Sequence, residues 1–410
     1  MNPRLFGCVV SIANNIVVVG SPSVGNKGSV YVYKIIDNDI EEVSSPIIPD
    51  NGHIDDGFGI SCKIFSISTS TYYLIIGSHR KYYNSISVGS VYIYKSTNYG
   101  QSWILCHELN SNNKTHNSYF GCSVDINDSI AIAGAYGDNN EGWRSGSINI
   151  FSKHKNKDLW IQTNCIRPTM LGINPDSTSS MYLGFSVSLY QNFIAVGAPS
   201  DKNVGSVFIL HSKDWQNKSN YDSYTLSGDN KFGFSTSINN NKLLVGSPGE
   251  NGLPGKAFIY NISSFFDTNS GFITTSQYST NIHYNIINTK SKSSKSLFGR
   301  SVCINDKFIV VSGFGKSDDE QYVGSAFLYS HQLYKQQNDI DDIACLRDKQ
   351  STELFGHSVA TNNNYVVIGD PTADKVHIYH INQLIGTYLK KWCASSICIN
   401  PPQQFNLEFT

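Results

Sequence analysis

Short apolar runs recur along the whole chain, each four to seven residues long, rich in Val, Ile and Tyr, and bounded by Gly, Asn, Asp or Pro. Several, such as Val17-Val18-Val19 and Phe308-Ile309-Val310-Val311, are apolar at every position, so both faces of the segment need cover. Those lengths and boundaries predict β-strands packed between other sheets rather than helices. The first two runs of each group are joined by tight polar turns: Asn14-Asn15, Asn127-Asp128, Asn305-Asp306 and residues 362–364. Asn and Asp tolerate the positive φ that hairpin turns demand.

The runs form a repeat. One pattern recurs: Phe-Gly-x-Ser-Val-x-Ile, a polar turn, an apolar run ending Val-Gly-Ser/Ala-Pro, a variable loop, then Gly-Ser-Val-Tyr-Ile-Tyr, with Leu183 replacing Phe in the fourth copy and the last Gly-Ser missing from the seventh. The copies open at Phe6-Gly7, Phe58-Gly59, Phe120-Gly121, Leu183-Gly184, Phe232-Gly233, Phe298-Gly299 and Phe355-Gly356, spaced 49 to 66 residues apart. A fourth, more amphipathic strand follows at 103–109, 159–166, 224–226, 343–346 and 388–393. Four strands per unit and seven units predict an all-β fold, a seven-bladed β-propeller of four-stranded antiparallel blades. A linear β-solenoid is the alternative, but a closed ring removes the strand edges that a stack would expose. The expected division is one propeller over residues 1–397, with repeats starting near 5, 57, 119, 182, 231, 297 and 354, and a C-terminal tail at 398–410. Residues 388–396 are expected to supply the last outer strand, so that blades one and seven meet by side-chain packing with no strand exchanged. The Phe is expected to wedge between blades, and the Gly before Ser/Ala-Pro to let the chain turn sharply.

These residues resemble the FG-GAP repeat, the unit of the propeller at the head of integrin α-chains and of many bacterial and viral proteins. The resemblance spans about residues 5–396 and implies a seven-bladed propeller, without implying any one activity. Calcium-binding members carry an acidic Asp-x-Asp-x-Asp-Gly loop between the first two strands. Here the equivalent loops are short and weakly acidic, as in Ala13-Asn14-Asn15, so no metal and no cofactor is expected. Residues 96–103, Ser-Thr-Asn-Tyr-Gly-Gln-Ser-Trp, are similar to the Asp-box turn of sialidases, a folding element between the third and fourth strands of a blade.

Composition narrows the function. With a formal net charge of −1 and 15% charged residues, nothing favours nucleic acid as a partner. The apolar runs are too short for membrane insertion, and as Met1-Asn2-Pro3-Arg4 leads straight into the first repeat, no secretory signal is expected. The expected location is cytoplasmic or virion-associated. Nine scattered cysteines read as reduced thiols, Cys393 and Cys398 being the only close pair.

The chain contains no His-Glu-x-x-His, Walker loop or Gly-x-Ser-x-Gly elbow. The loops between second and third strands open on the same face as the connections between blades. Residues 79–88 and 136–144 are corresponding loops of adjacent blades, and are expected to place Tyr82, Tyr83, Tyr136, Trp143 and Arg144 on one rim as partner-binding residues. Arg300 and His357, each just after a Phe-Gly pair, are candidates to line the central channel. No residue is expected to be catalytic. The functional expectation is a non-catalytic protein-interaction or scaffold propeller, such as a virion or assembly component, with a protein partner. A lectin-like propeller binding a glycan is the second reading, and a glycosidase-type enzyme the third.

Overall fold

The computed structural model describes residues 5–23, 26–37, 39–112, 114–154, 158–175, 180–201, 204–216, 221–228, 230–249, 255–262, 266–267, 271–272, 284–287, 297–316, 322–330, 344–347, 354–387 and 397–399. Among them are seven four-stranded antiparallel sheets, each a meander in chain order. The first strands are Val9–Ala13, Phe58–Ser66, Val124–Ile126, Ser186–Tyr190, Ser235–Asn239, Val302–Ile304 and Ser358–Thr361. They lie against one another in sequence, and the last lies against the first. The ring is closed, and it is a seven-bladed β-propeller. Two short ribbons, Tyr82–Tyr83 with Ile86–Ser87 and Phe266–Asp267 with Gly271–Phe272, interrupt blades two and five. No helix among the described residues is long and apolar enough to cross a membrane.

The doubly apolar strands explain where the core lies. Alternate residues of a strand point to opposite faces. In the second strand of blade one, Ile16 and Val18 pack against blade two, whereas Val17 and Val19 pack against blade seven. The buried apolar residues accordingly form seven clusters, one at each seam between neighbouring blades. No blade has a core of its own.

Backbone contacts explain the repeat motif. The Phe or Leu of every opening pair is fully buried at a seam, and the Gly that follows has φ between 87° and 93° in all seven copies. This turn plugs into the preceding blade. A Cβ on Gly77, Gly134 or Gly197 would come within 1.9 Å of the carbonyl oxygen of Gly121, Gly184 or Gly233 of the next blade. That corrects one expectation: the second-strand glycine lies inside its strand and is needed because the neighbouring backbone rests on it, not because the chain turns there. The motif serine seals the same seam. Ser61, Ser123, Ser186 and Ser235 each donate through Oγ to the Phe-Gly or Leu-Gly carbonyl of the following blade, at 2.7, 2.8, 2.9 and 2.8 Å.

On the opposite face the hairpin asparagines do more than adopt positive φ. Asn127 donates to the Gln191 carbonyl at 3.0 Å, Asn305 to Thr361 Oγ1 at 3.4 Å, and Asn362 to the Asn14 carbonyl at 2.5 Å, each reaching the next blade.

Closure uses the same parts. Phe6, Val10 and Val19 share a cluster with Val367, Val376 and Ile378, and among the described residues no strand is exchanged between the first and last blades. Blade seven lacks the Gly-Ser of its third element, and Asp374 there accepts a hydrogen bond from the Phe6 amide at 3.1 Å. One outer strand differs from expectation. The third strand of blade seven, Lys375–His380, runs into a helix, Ile381–Thr387, whose Ile381 and Leu384 are buried. The chain therefore returns later, and the outer strand is Ile397–Ile399, with Ile399 opposite Val376. Cys398 and Ile399 belong to the blade and not to a tail, while residues 388–396 lie outside the described residues.

Candidate functional site

The residues flanking each Phe-Gly pair ring the mouth of the central channel on the face of the long loops. Those before the pair include Tyr119, Tyr182 and Lys231, all left-handed with φ of 54°, 59° and 63°. Bulky residues rarely adopt that conformation, and here the seam contacts on either side enforce it. Those after the pair include Phe185, Phe234, Arg300 and His357.

Together they make a continuous arc. The His79 ring lies 5.7 Å from Tyr119, which stacks on Tyr136 at 5.0 Å with 19° between planes. Tyr136 meets Tyr182 edge-on at 5.7 Å and Phe185 at 5.5 Å. Phe185 lies 4.8 Å from Phe234, and the Arg300 guanidinium sits 5.1 Å over the Phe234 ring. The arc thus crosses blades two to six, and its tyrosine and phenylalanine rings are half-buried. At its outer side Arg144 donates from Nη1 to the Tyr182 hydroxyl at 3.3 Å while its guanidinium lies 5.3 Å over the Trp143 ring.

Electrostatics follow from this burial. Burial pushes the Tyr136 hydroxyl well above the ordinary tyrosine range, and Arg144 and Arg80 offset part of that. Burial also acts to raise Tyr182, but the hydrogen bonds from Arg144 and Ser180 prevail and hold it below its usual value. His357 is pushed down by burial and by the Arg300 charge, so it is neutral at pH 7, with Nδ1 3.0 Å from the Cys8 carbonyl oxygen. On the inner strands of blades two and three, Lys63 and Asp125 hold the same repeat position; Asp125 accepts amide hydrogen bonds from Ile126 and Leu189 at 2.8 and 2.9 Å, and its charge raises the Lys63 pKa.

Of the residues expected on one rim, Tyr136, Trp143 and Arg144 come together. Tyr82 and Tyr83 do not join them: they stand on the blade-two ribbon, 53% and 43% exposed, with the Lys114 ammonium 3.0 Å over the Tyr83 ring. The ribbon's turn, Asn84 and Ser85 with φ of 48° and 65°, lifts them off the blade. Arg300 ends the arc over the Phe234 ring, and His357 lies close enough to feel the Arg300 charge. Tyr119, Tyr182, Phe185 and Phe234 escaped the sequence reading. Aligning the seven copies column by column would have found them, because they fill the two columns beside Phe-Gly.

Two further features bear on chemistry. The Asp-box-like segment is a turn held by its own side chains: Ser102 N donates to Asn98 Oδ1 at 3.0 Å, and Trp103 Nε1 to the Gly100 carbonyl at 3.0 Å. On the opposite face a cleft of about 310 Å³ between blades three and four is lined by Asp128, Asp214, Lys153, Lys213, His154 and Trp215.

Residues 103–151, from the end of the Asp-box-like turn to the third strand of blade three, match the family model described as the FG-GAP repeat. No curated protein matches the chain by sequence. Among solved structures, it is similar to a GH74 xyloglucanase from Xanthomonas campestris, at 9% identity and a TM-score of 0.52, over 93% of this chain and 52% of that one. It is similar to a chain of a humanized mutant of the Chaetomium thermophilum Polycomb Repressive Complex 2, at 10% identity and 0.52, over 87% and 88%. A putative 6-phosphogluconolactonase from Bacteroides uniformis matches at 9% identity and 0.51, over 90% and 92%. At such identities the likeness concerns the fold alone.

Proposed function

Given that this chain is an FG-GAP-repeat β-propeller, we propose that it is a non-catalytic interaction module that docks a protein partner on the channel mouth, as a scaffold or assembly component of the kind found in virions. The arc carries this reading. Its rings run in contact from His79 to Phe234, and two of its tyrosines sit on left-handed backbone. Half-buried aromatics beside arginines are the usual anchors of protein interfaces. A photo-crosslinking residue at Tyr136 is expected to trap a partner in the native cells, and one at Asp128 on the opposite face to trap none. Crosslinks only from Asp128 would reverse the assignment of faces.

A glycan is the second reading, favoured by one observation: Trp143 is 55% exposed with the Arg144 guanidinium beside it, a surface on which a sugar could stack. A glycan array probed with the wild type and with Trp143→Ala decides it, since a lectin loses its signal in the variant. The glycosidase reading would use Asp128 and Asp214 in the opposite cleft. Both are exposed at that cleft.

A further inference from the structure

Charge at the channel mouth narrows the class of partner, an inference that rests on the docking reading above. The two columns flanking the six Phe-Gly pairs and the Leu183-Gly184 pair hold fourteen residues, and none is Asp or Glu. They hold Lys231 and Arg300 instead, and Arg144 adds a third cation through its contact with Tyr182. Arg80, next to His79, is a fourth charge of the same sign, felt by Tyr136. Among the described residues, the loop carboxylates Asp138, Glu141, Asp201 and Asp374 are engaged by hydrogen bonds. Asp138 accepts from Ser147 Oγ at 2.8 Å, from Asn140 Nδ2 at 2.6 Å and from the Asn140 amide at 3.0 Å, and lies 3.6 Å from Arg167 Nε. Asp374 accepts from the Phe6 amide.

We propose that the mouth recognises an acidic peptide segment, one whose Asp or Glu side chains meet Arg144, Lys231 and Arg300 while its apolar side chains rest on the aromatic arc. Guanidinium groups pair with carboxylates bidentately, and the positive edges of aromatic rings favour the same anions. A polynucleotide fits less well. Tyr119 and Tyr136 already cover each other's faces, which leaves a poor platform for bases, and a chain of net charge −1 does not draw in a polyanion from a distance.

The test is to pan a display library of short random peptides on the full-length protein at low salt. Recovered sequences are expected to carry an excess of Asp and Glu, and to bind the Arg144→Gln/Lys231→Gln variant about tenfold more weakly or worse. Arg300→Gln, checked for an unchanged melting curve, is expected to act in the same direction. Neutral or basic consensus sequences, no enrichment, undiminished binding to the variants, or tighter binding of an oligonucleotide or a sulfated glycan would each overturn the inference. Crosslinks from Tyr136 to a partner segment without acidic excess would overturn it while leaving the docking face intact. Crosslinks from Asp128 alone would instead remove the docking reading itself.

Discussion

Ser358 donates its hydroxyl to the Gly7 carbonyl oxygen at 3.0 Å, joining residues 351 positions apart in sequence. The bond repeats, between chain ends, what Ser61 makes with Gly121 inside the ring. Among the described residues, closure is therefore one more copy of the ordinary seam.

The seam glycines make this testable. A Cβ on Gly369 would stand 2.0 Å from the Gly7 carbonyl oxygen, as one on Gly197 would stand 1.9 Å from that of Gly233. Backbone cannot yield as a side chain does. Gly369→Ala and Gly197→Ala are each expected to lower stability by about 3 kcal/mol, at the upper end of overpacking costs, read from the urea midpoint. A Gly369→Ala protein as stable as the wild type would mean that the ends do not interlock as described.

Blade two contains a buried ion pair with a calculable asymmetry. The Lys81 ammonium lies 2.7 Å from Glu108 Oε1 and 2.8 Å from Asn51 Oδ1, and also donates to the Tyr92 hydroxyl. Its side chain is 9% exposed and that of Glu108 24%. Removing one partner strands the other charge, so Lys81→Met is expected to cost about 3 kcal/mol. Adding Glu108→Gln should restore much of the loss. A double variant no better than the single one would show that the pair contributes by packing alone.

The blades were legible in the sequence because the inner strands had to be apolar on both faces and each opening turn had to carry Phe-Gly or Leu-Gly. The reason for Phe-Gly-x-Ser was not, since Ser61 and Gly121 belong to different copies and their bond appears only when blades meet. The last outer strand was misplaced for a related reason. Residues 388–393 have the right amphipathic pattern and lie outside the described residues, whereas the pairing of Ile397–Ile399 with the third strand and the burial of Ile381 and Leu384 before it are tertiary. For the site, exposure and loop length found Trp143 and Arg144. The arc itself lies in columns that differ from copy to copy, Cys8 in one blade and Phe234 in another, and a column that varies looks unimportant until the ring brings its members together.

Acid sensitivity is predicted with a definite sign. Burial, with help from Arg80, lowers His79 from an ordinary 6.5 to about 4. Above pH 6.5 both folded and unfolded forms hold it neutral, and it has no effect. Between 6.5 and about 4 the unfolded chain takes up a proton that the folded chain refuses, so stability falls as pH falls, by roughly 3 kcal/mol in all. His357 shifts in the same direction. Urea titrations at pH 7.5 and 4.5 should show a smaller drop for His79→Gln than for the wild type, and equal drops would place the acid sensitivity elsewhere.

The thiols near the channel are expected to be chemically silent. Burial pushes Cys8 and Cys122 up to about 11 and Cys62 up to about 12, the Arg300 charge offsetting part of the effect at Cys8. Only a thiolate attacks a disulfide reagent, and three pH units below such a pKa roughly one molecule in a thousand carries one. In the native protein at pH 8, Ellman's reagent should titrate the exposed Cys345 while leaving Cys8, Cys62 and Cys122 untouched, and urea should release all three. Arg300→Gln removes the one charge that favours the Cys8 thiolate, so that thiol should become slower still. Faster labelling of Cys8 in this variant would mean that Arg300 guards the channel mouth by covering it, and that its charge is secondary there.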